Sequence, residues 1–265
     1  MTKKAIVFDN SGTLIERYRV IKNVSTGELI THINSLDLID ACLNAALVVL
    51  QFNTQRLKDL DENTLISDFV LENNIDFDIS YYSTEVTKEE ITKILEKDTA
   101  VIKDILDTFP LLKENVPNME VCNGSAVIID IAKERIAYTI TSAGKLFSGV
   151  KDTIKELQEK DIDVFIASGD RSGAIKKLAD ITGIPEDHAF ATASTDRKAE
   201  IVGILQDEGY KVMMVGDGPN DILAFQKADA AVLTTEQKDG DFPDKLKGYA
   251  DFVIDDISQV LEIDF

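Results

Sequence analysis

The chain has 265 residues, 44% of them hydrophobic and 29% charged, with a formal net charge of −20. That length holds one large core or a core with an inserted domain, and the composition excludes wholesale disorder. So acidic a surface repels nucleic-acid phosphates and anionic membranes, which removes both from the expected partners.

The start, Met1-Thr2-Lys3-Lys4, is followed by only four apolar residues, Ala5-Ile6-Val7-Phe8, too few for a signal peptide. No stretch approaches the roughly 20 apolar residues of a membrane span. Cys42 and Cys122 stand alone and far apart, without a Cys-x-x-Cys pair or a histidine cluster. They read as reduced thiols, not as a disulfide or a zinc site, so the expected location is the cytoplasm.

Ala5 to Phe8 reads as a buried strand that stops abruptly at Asp9-Asn10-Ser11-Gly12-Thr13-Leu14. Tyr18 to Val24 and Leu29 to Ile33, around Ser25-Thr26-Gly27-Glu28, predict a β-hairpin. From Leu36 to Leu50 the residues Leu36, Ile39, Leu43, Leu47 and Leu50 share a helical face. The end of that stretch, Ala45 to Phe52, reads equally as a strand, and periodicity leaves both open. Thr87 to Phe109 predicts a helix, with Ile91, Leu95, Ile102, Ile105 and Phe109 roughly in phase. Val127 to Ile131 and Arg135 to Thr141 predict a second hairpin around Ala132-Lys133-Glu134.

From about Ala143 the pattern becomes an alternation. Val150, Ile154 and Leu157 form a helix stripe, and Val164 to Ala167 is a short buried strand ending at Ser168-Gly169-Asp170. Ile175, Leu178 and Ala179 mark a helix closed by Gly183 and Pro185, and Ala189 to Ala193 is a weaker strand. A helix carrying Ile201, Val202 and Leu205 ends at Gly209, and the strand Val212 to Val215 stops at Gly216-Asp217-Gly218. Ala230 to Leu233 and Phe252 to Ile254 complete the series. Continuous apolar strands alternating with helices indicate an α/β fold, a doubly wound parallel sheet covered on both faces. The expected organisation is a core of residues 1–14 and 143–265, with residues 15–142 inserted after the first strand as a hairpin and α+β domain.

Three strand ends carry polar residues, Asp9, Ser168 and Asp217, and Asp221 follows at a helix start. Parallel strands place their carboxyl ends on one edge, so these groups converge despite their separation in sequence. A carboxylate delivered by a buried strand into a glycine-containing turn is how such a sheet presents a nucleophile. Taken singly, an Asp or Ser there is most often a turn cap, and a lone Lys is most often solvated.

The order of the segments adds what no single one carries. Asp9-Asn10-Ser11-Gly12-Thr13-Leu14 resembles the first motif of the haloacid dehalogenase superfamily, the aspartyl-phosphate-forming phosphohydrolases and P-type ATPases. Phe165 to Asp170 resembles its second motif, and Lys198 within Thr195 to Val202 its third. Val215-Gly216-Asp217-Gly218-Pro219-Asn220-Asp221 is similar to the fourth, in the form typical of P-type ATPases. The resemblance implies that Asp9 attacks phosphorus in line and becomes an aspartyl phosphate. It further implies that Asp217 and Asp221, with Asp9 and the Ser11 backbone carbonyl, bind Mg²⁺, and that Ser168 and Lys198 stabilise the transferring phosphoryl group. Asn10, Gly169 and Asn220 would contact phosphate, and Thr13 would orient Asp9.

Ser11 departs from the common phosphatases, whose Asp at this position protonates the leaving group and then activates water. Such general acid–base help is worth roughly 10²–10⁴-fold, and a serine hydroxyl titrates too high to replace it unaided. P-type ATPases carry Thr there. The expectation is therefore rapid formation and slow hydrolysis of the aspartyl phosphate. Thr26-Gly27-Glu28 matches the pump triplet that brings a Glu to dephosphorylation, but in pumps it precedes the phosphorylated Asp in a separate domain. A three-residue match arises readily by chance; the alternative has Glu28 activating water beside Asp9. His32 and His188 lie in no metal-ligand spacing, and no Walker-type loop is present.

The function these features predict is a Mg²⁺-dependent phosphohydrolase acting on a phosphorylated small molecule, resembling an excised P-type ATPase phosphorylation domain. The alternatives are a slowly turning, autophosphorylating ATPase and a phospho-aspartate switch whose insert contacts a partner. In this superfamily the insert often acts as a cap that selects the substrate. Substrate identity, ATP as donor and oligomeric state are not written in the motifs.

Overall fold

The computed structural model describes residues 3–33, 35–42, 44–117, 121–237 and 244–265. Two compact units emerge, one formed by Met1–Arg17 with Gly144–Phe265 and the other by Tyr18–Ala143. In chain order, β1 (Lys3–Phe8) opens the first unit and β2 (Ile15–Asn23) carries the chain into the second. There follow β3 (Leu29–Ile30), α1 (Ser35–Ala41), β4 (Ala45–Leu50), α2 (Ile66–Glu72), β5 (Phe77–Tyr82) and α3 (Lys88–Leu95). Next come α4 (Ile102–Leu106), α5 (Phe109–Asn115) and β6 (Val121–Asp130), and β7 (Arg135–Leu146) brings the chain back. The first unit resumes with α6 (Val150–Glu159), β8 (Ile162–Ala167), α7 (Ser172–Thr182), β9 (Ala189–Phe190), α8 (Thr195–Asp207) and β10 (Tyr210–Gly216). It ends with α9 (Ile222–Lys227), β11 (Ala230–Thr234), α10 (Asp244–Lys247) and β12 (Phe252–Ile254).

The first unit is the expected doubly wound α/β core. Its sheet runs β12-β11-β10-β1-β8-β9, and every pairing is parallel. β1 lies inside it because Ala5 to Phe8 is apolar on both pleats; Ile6 stands in register with Met213 on one side and Val164 on the other. Ala5, Val7, Phe165 and Met214 bury against Ile201, Val202 and Leu205 of α8 and Phe225 of α9. Ile6 and Phe8 alternate to the other face. α6 packs along β8 with Val150, Ile154 and Leu157 buried. Strand order reverses on either side of β1, so the crevice at its carboxyl end is where an open α/β sheet binds ligands.

β9 is shorter than Ala189 to Ala193 suggested. After Phe190 the backbone turns, Thr192 takes a positive φ of 51°, and the Thr192 and Ala193 amides donate to the Asp170 and Ser168 carbonyls at 2.9 and 2.8 Å. Those residues brace the turn after β8 and do not extend the sheet.

The second unit has a sheet of order β3-β2-β7-β6-β4-β5. Both predicted hairpins form, β2 with β3 and β6 with β7. The open choice at Leu36 to Leu50 resolves in two parts. α1 stops at Ala41, and Ala45 to Leu50 is a central strand, because Ala46, Val48 and Leu50 fill one core while Ala45 and Leu47 fill another. That period of two excludes a helix there; Leu43 lies outside the described residues. The single helix expected over Thr87 to Phe109 is broken. It begins as read, with a Thr87–Glu90 capping box, but Asp98 ends it by accepting from the Ala100 and Ile136 amides at 2.8 and 2.7 Å. Val101 is extended, and Asp104 restarts the helix by accepting its amide at 2.9 Å. Cys42 is a half-buried free thiol, and the side chain of Cys122 lies outside the described residues.

Lys22 is buried on β2, with Nζ 2.7 Å from both Asp104 Oδ1 and Asp107 Oδ2. Burial works against its charge, but the two carboxylates outweigh burial and raise its pKa. Lys22→Met would leave both carboxylates facing each other across a poorly solvated gap. Breaking a fully buried pair costs about 3–5 kcal/mol, and the partial exposure of Asp107 reduces that to roughly 2–3 kcal/mol. Urea unfolding of the two proteins measures it; a loss under about 0.5 kcal/mol contradicts the assignment.

Candidate active site

The bonding to β10 continues one residue past the end of β1, since the Asp9 amide donates to the Val215 carbonyl at 2.8 Å. The following turn is gathered on the Asn10 carbonyl, which accepts from the Thr13, Leu14 and Ile15 amides at 3.2, 2.9 and 3.0 Å. Gly12 must be glycine for two reasons. Its φ is +87°, and a Cβ there would lie 1.9 Å from Asp217 Oδ2. The end of β10 is built the same way, because a Cβ on Gly216 would sit 2.4 Å from Asp221 Oδ2. That oxygen instead accepts the Asp217 and Gly218 amides, each at 3.2 Å.

Lys198 reaches this edge from the first turn of α8, whose start is fixed by Ser194 accepting from the Arg197 amide. Its ammonium is buried and bridges Asp9 Oδ1 at 2.6 Å and Asp221 Oδ1 at 2.7 Å. Carboxylate oxygens of Asp9, Asp217 and Asp221 all lie within 4.8 Å of one another. Burial pushes the Asp9 carboxyl up to about 6; Lys198 opposes that shift and the Asp221 charge adds to it. Burial also pushes Asp217 up to about 8, helped by the charges of Asp9 and Asp221 and only partly offset by Arg17 and Lys198. Burial alone would lower the Lys198 pKa, but its two carboxylate partners raise it. Three carboxylates thus share one buried ammonium. Such a hard-oxygen, charge-deficient cluster fits a divalent cation of the magnesium kind.

The strand end after β8 supplies the remaining predicted groups. Ser168 is buried, Gly169 is exposed, and Asp170 Oδ2 accepts from Ser168 Oγ at 3.0 Å, Asn10 Nδ2 at 2.6 Å and Ser11 Oγ at 3.4 Å. Sequence reasoning left Asp170 without a role, although a polar Ser-Gly-Asp at a strand end was the available signal. Asn220 is exposed in the turn after Pro219, near the acidic cluster in sequence but bonded to none of its carboxylates among the described contacts. Thr13 is fully buried, yet its hydroxyl has no hydrogen-bond partner. Among the described residues no hydrogen bond links Thr13 to Asp9, and its amide donates to the Asn10 carbonyl within the turn.

Glu28 is exposed in the β2–β3 turn of the second unit. His188 stacks on Phe165 with ring centroids 4.1 Å apart, and its Nδ1 lies 3.1 Å from the Val164 carbonyl, a structural placement; His32 is exposed. No described helix is long and apolar enough to cross a membrane.

Several known proteins are similar to this chain. A soluble P-type ATPase-like phosphatase of Methanocaldococcus jannaschii is 37% identical over 262 residues, covering 98% of this chain and 93% of the relative. A probable copper-importing P-type ATPase A of Enterococcus hirae is 37% identical over 109 residues, which are 41% of this chain but only 15% of that pump. Among solved structures, the catalytic domain of the CPx-ATPase CopB-B aligns with 98% of this chain and 88% of its own at 17% identity, with a TM-score of 0.48. The profile of the haloacid dehalogenase-like hydrolases matches residues 3–229, and the chain belongs to that family of enzymes.

Proposed function

We propose that the chain is a Mg²⁺-dependent phosphatase that passes the phosphoryl group of a phosphorylated small molecule first to Asp9 and then to water. The observation that carries this reading is the buried bridge from Lys198 to Asp9 and Asp221, with Asp217 beside it. The near full-length likeness to a phosphatase supports it.

In the first step an Asp9 carboxylate oxygen bonds to phosphorus as the bond to the leaving oxygen breaks, and that oxygen takes its proton from solvent. Lys198 neutralises charge on the phosphoryl oxygens, and Ser168 turns its hydroxyl proton from Asp170 to one of them as substrate arrives. Asn10, Gly169 and Asn220 line the same group. Asp9, Asp217 and Asp221, with the Ser11 carbonyl, would hold the magnesium ion, which supplies charge neutralisation and polarises a phosphate oxygen. In the second step a water oxygen attacks phosphorus and the Asp9 carboxylate leaves. Ser11 offers no carboxylate to take the water proton, so this step is the slow one. The second unit is proposed to contribute substrate selection.

A screen of acetyl phosphate, p-nitrophenyl phosphate and ATP with Mg²⁺, using a radiolabelled phosphoryl donor and acid quench, tests the chemistry. Acid-stable label is expected to appear on the protein before steady phosphate release, and Asp9→Asn is expected to abolish both. Label or turnover surviving Asp9→Asn refutes the reading. Stoichiometric label with almost no release identifies a switch instead, and a response to ATP alone identifies an ATPase.

Metal binding has a pH signature. The folded-state pKa of Asp217, about 8, lies above the ordinary 3.8, so its protonated form stabilises the fold. That contribution is full below the ordinary value and disappears as pH climbs through about 8, where a cation can take the proton's place. Added Mg²⁺ is expected to raise Tm by several degrees at about pH 8 and by clearly less at about pH 5. Asp217→Asn should shrink the difference, leaving the part that comes from Asp9, whose carboxyl is pushed up to about 6. Equal increments at both pH values in the unmodified protein contradict the assignment.

A further inference from the structure

Asp170 draws two strand ends together. One of its carboxylate oxygens, Oδ2, accepts from Asn10 and Ser11 in the turn after β1 and from Ser168 in its own turn. Its amide donates to Ser168 Oγ at 3.1 Å, and its carbonyl accepts from the Thr192 amide at 2.9 Å, so backbone and side chain are both fixed. Ser11 Oγ is 3.4 Å from the carboxylate. A carboxylate in place of that hydroxyl would meet a like charge at about contact distance, on a part-buried edge where water screens poorly. A hydroxyl at position 11 donates to Asp170; an acidic side chain there would repel it.

We propose that Asp170 is a positioning residue that holds Ser11, Asn10 and Ser168 in place and excludes a second carboxylate from position 11, thereby setting the lifetime of the aspartyl phosphate. The proposal rests on the reading of Asp9 as the phosphorylated residue. In the discharge step the water oxygen bonds to phosphorus, the phosphorus bond to Asp9 breaks with its electron pair returning to the carboxylate, and the water proton goes to solvent. In the double variant Ser11→Asp/Asp170→Asn, the introduced carboxylate has a neutral neighbour and takes that proton itself. The Asn side chain keeps an oxygen to accept from Ser168 and Asn10.

The test is a double-mutant cycle of the unmodified protein, Ser11→Asp, Asp170→Asn and Ser11→Asp/Asp170→Asn. Each is labelled with radioactive acetyl phosphate and Mg²⁺, and label formation and decay are followed by acid quench. Ser11→Asp alone is expected to slow labelling about tenfold or more without shortening the label's lifetime. The double variant is expected to regain labelling and to lose the label about tenfold faster than the unmodified protein, within the range of general-base help. If Ser11→Asp shortens the lifetime by the same factor in both backgrounds, the proposal is overturned. The four melting temperatures give a second cycle that needs no labelling: Ser11→Asp lowers Tm, and adding Asp170→Asn restores it. Absence of label in all four proteins refutes the Asp9 reading, and additive Tm changes then refute the Asp170 proposal independently.

Discussion

The ammonium of Lys198 is the interaction on which the acidic edge of the core depends. Asp9 and Asp221 are buried at the ends of elements far apart in sequence, and Asp217 offers an oxygen within 4.8 Å of both. Carboxylates so placed are tolerable only with positive charge among them, and Lys198 supplies it at 2.6 and 2.7 Å. One side chain therefore fixes the start of α8 against β1 and the turn after β10. Counted as carboxylates, the cluster is still two positive charges short of balance, which is what a divalent cation carries.

The backbone makes this arrangement possible by omission. Gly12 and Gly216 lie where any side chain would overlap a carboxylate, so the acidic groups occupy the volume of missing Cβ atoms. Asp170 does the complementary work with hydrogen bonds, tying the turn after β1 to the turn after β8. The residues around Asp9 are thus held by two mutually opposed devices, a shared cation on one side and a shared anion on the other. Chemistry at Asp9 is expected to feel changes on either side.

Much of this was legible in the residues. Continuous apolar strands such as Ala5 to Phe8 and Val212 to Val215 announce a parallel sheet, and polar residues at their ends announce its working edge. The insert was harder to read for physical reasons. Ala45 to Leu50 is buried on both faces and so carries no alternation, and the Thr87 to Phe109 stripe stayed in phase across a break made by Asp98, whose bond to the Ile136 amide is invisible locally. Within the site, Asp9, Ser168, Asp217 and Asp221 announced themselves by position, and Lys198 only through the resemblance of its segment to a family motif. Thr13 is buried with no hydrogen-bond partner for its hydroxyl among the described residues, which its place in a polar turn does not foretell. Asp170 acquires meaning only when two strand ends are seen side by side.

The place of β1 in the sheet has a consequence for how the chain reaches its folded state. β1 is synthesised before its neighbours β8 and β10, which lie well over 100 residues downstream. The residues Tyr18–Ala143, by contrast, form one contiguous compact unit. Closing long loops is slow and contiguous units fold first, so during synthesis the insert is expected to assemble while β1 waits unpaired. Asp9 leaves the ribosome well before Lys198 and Asp221, the partners it must wait for.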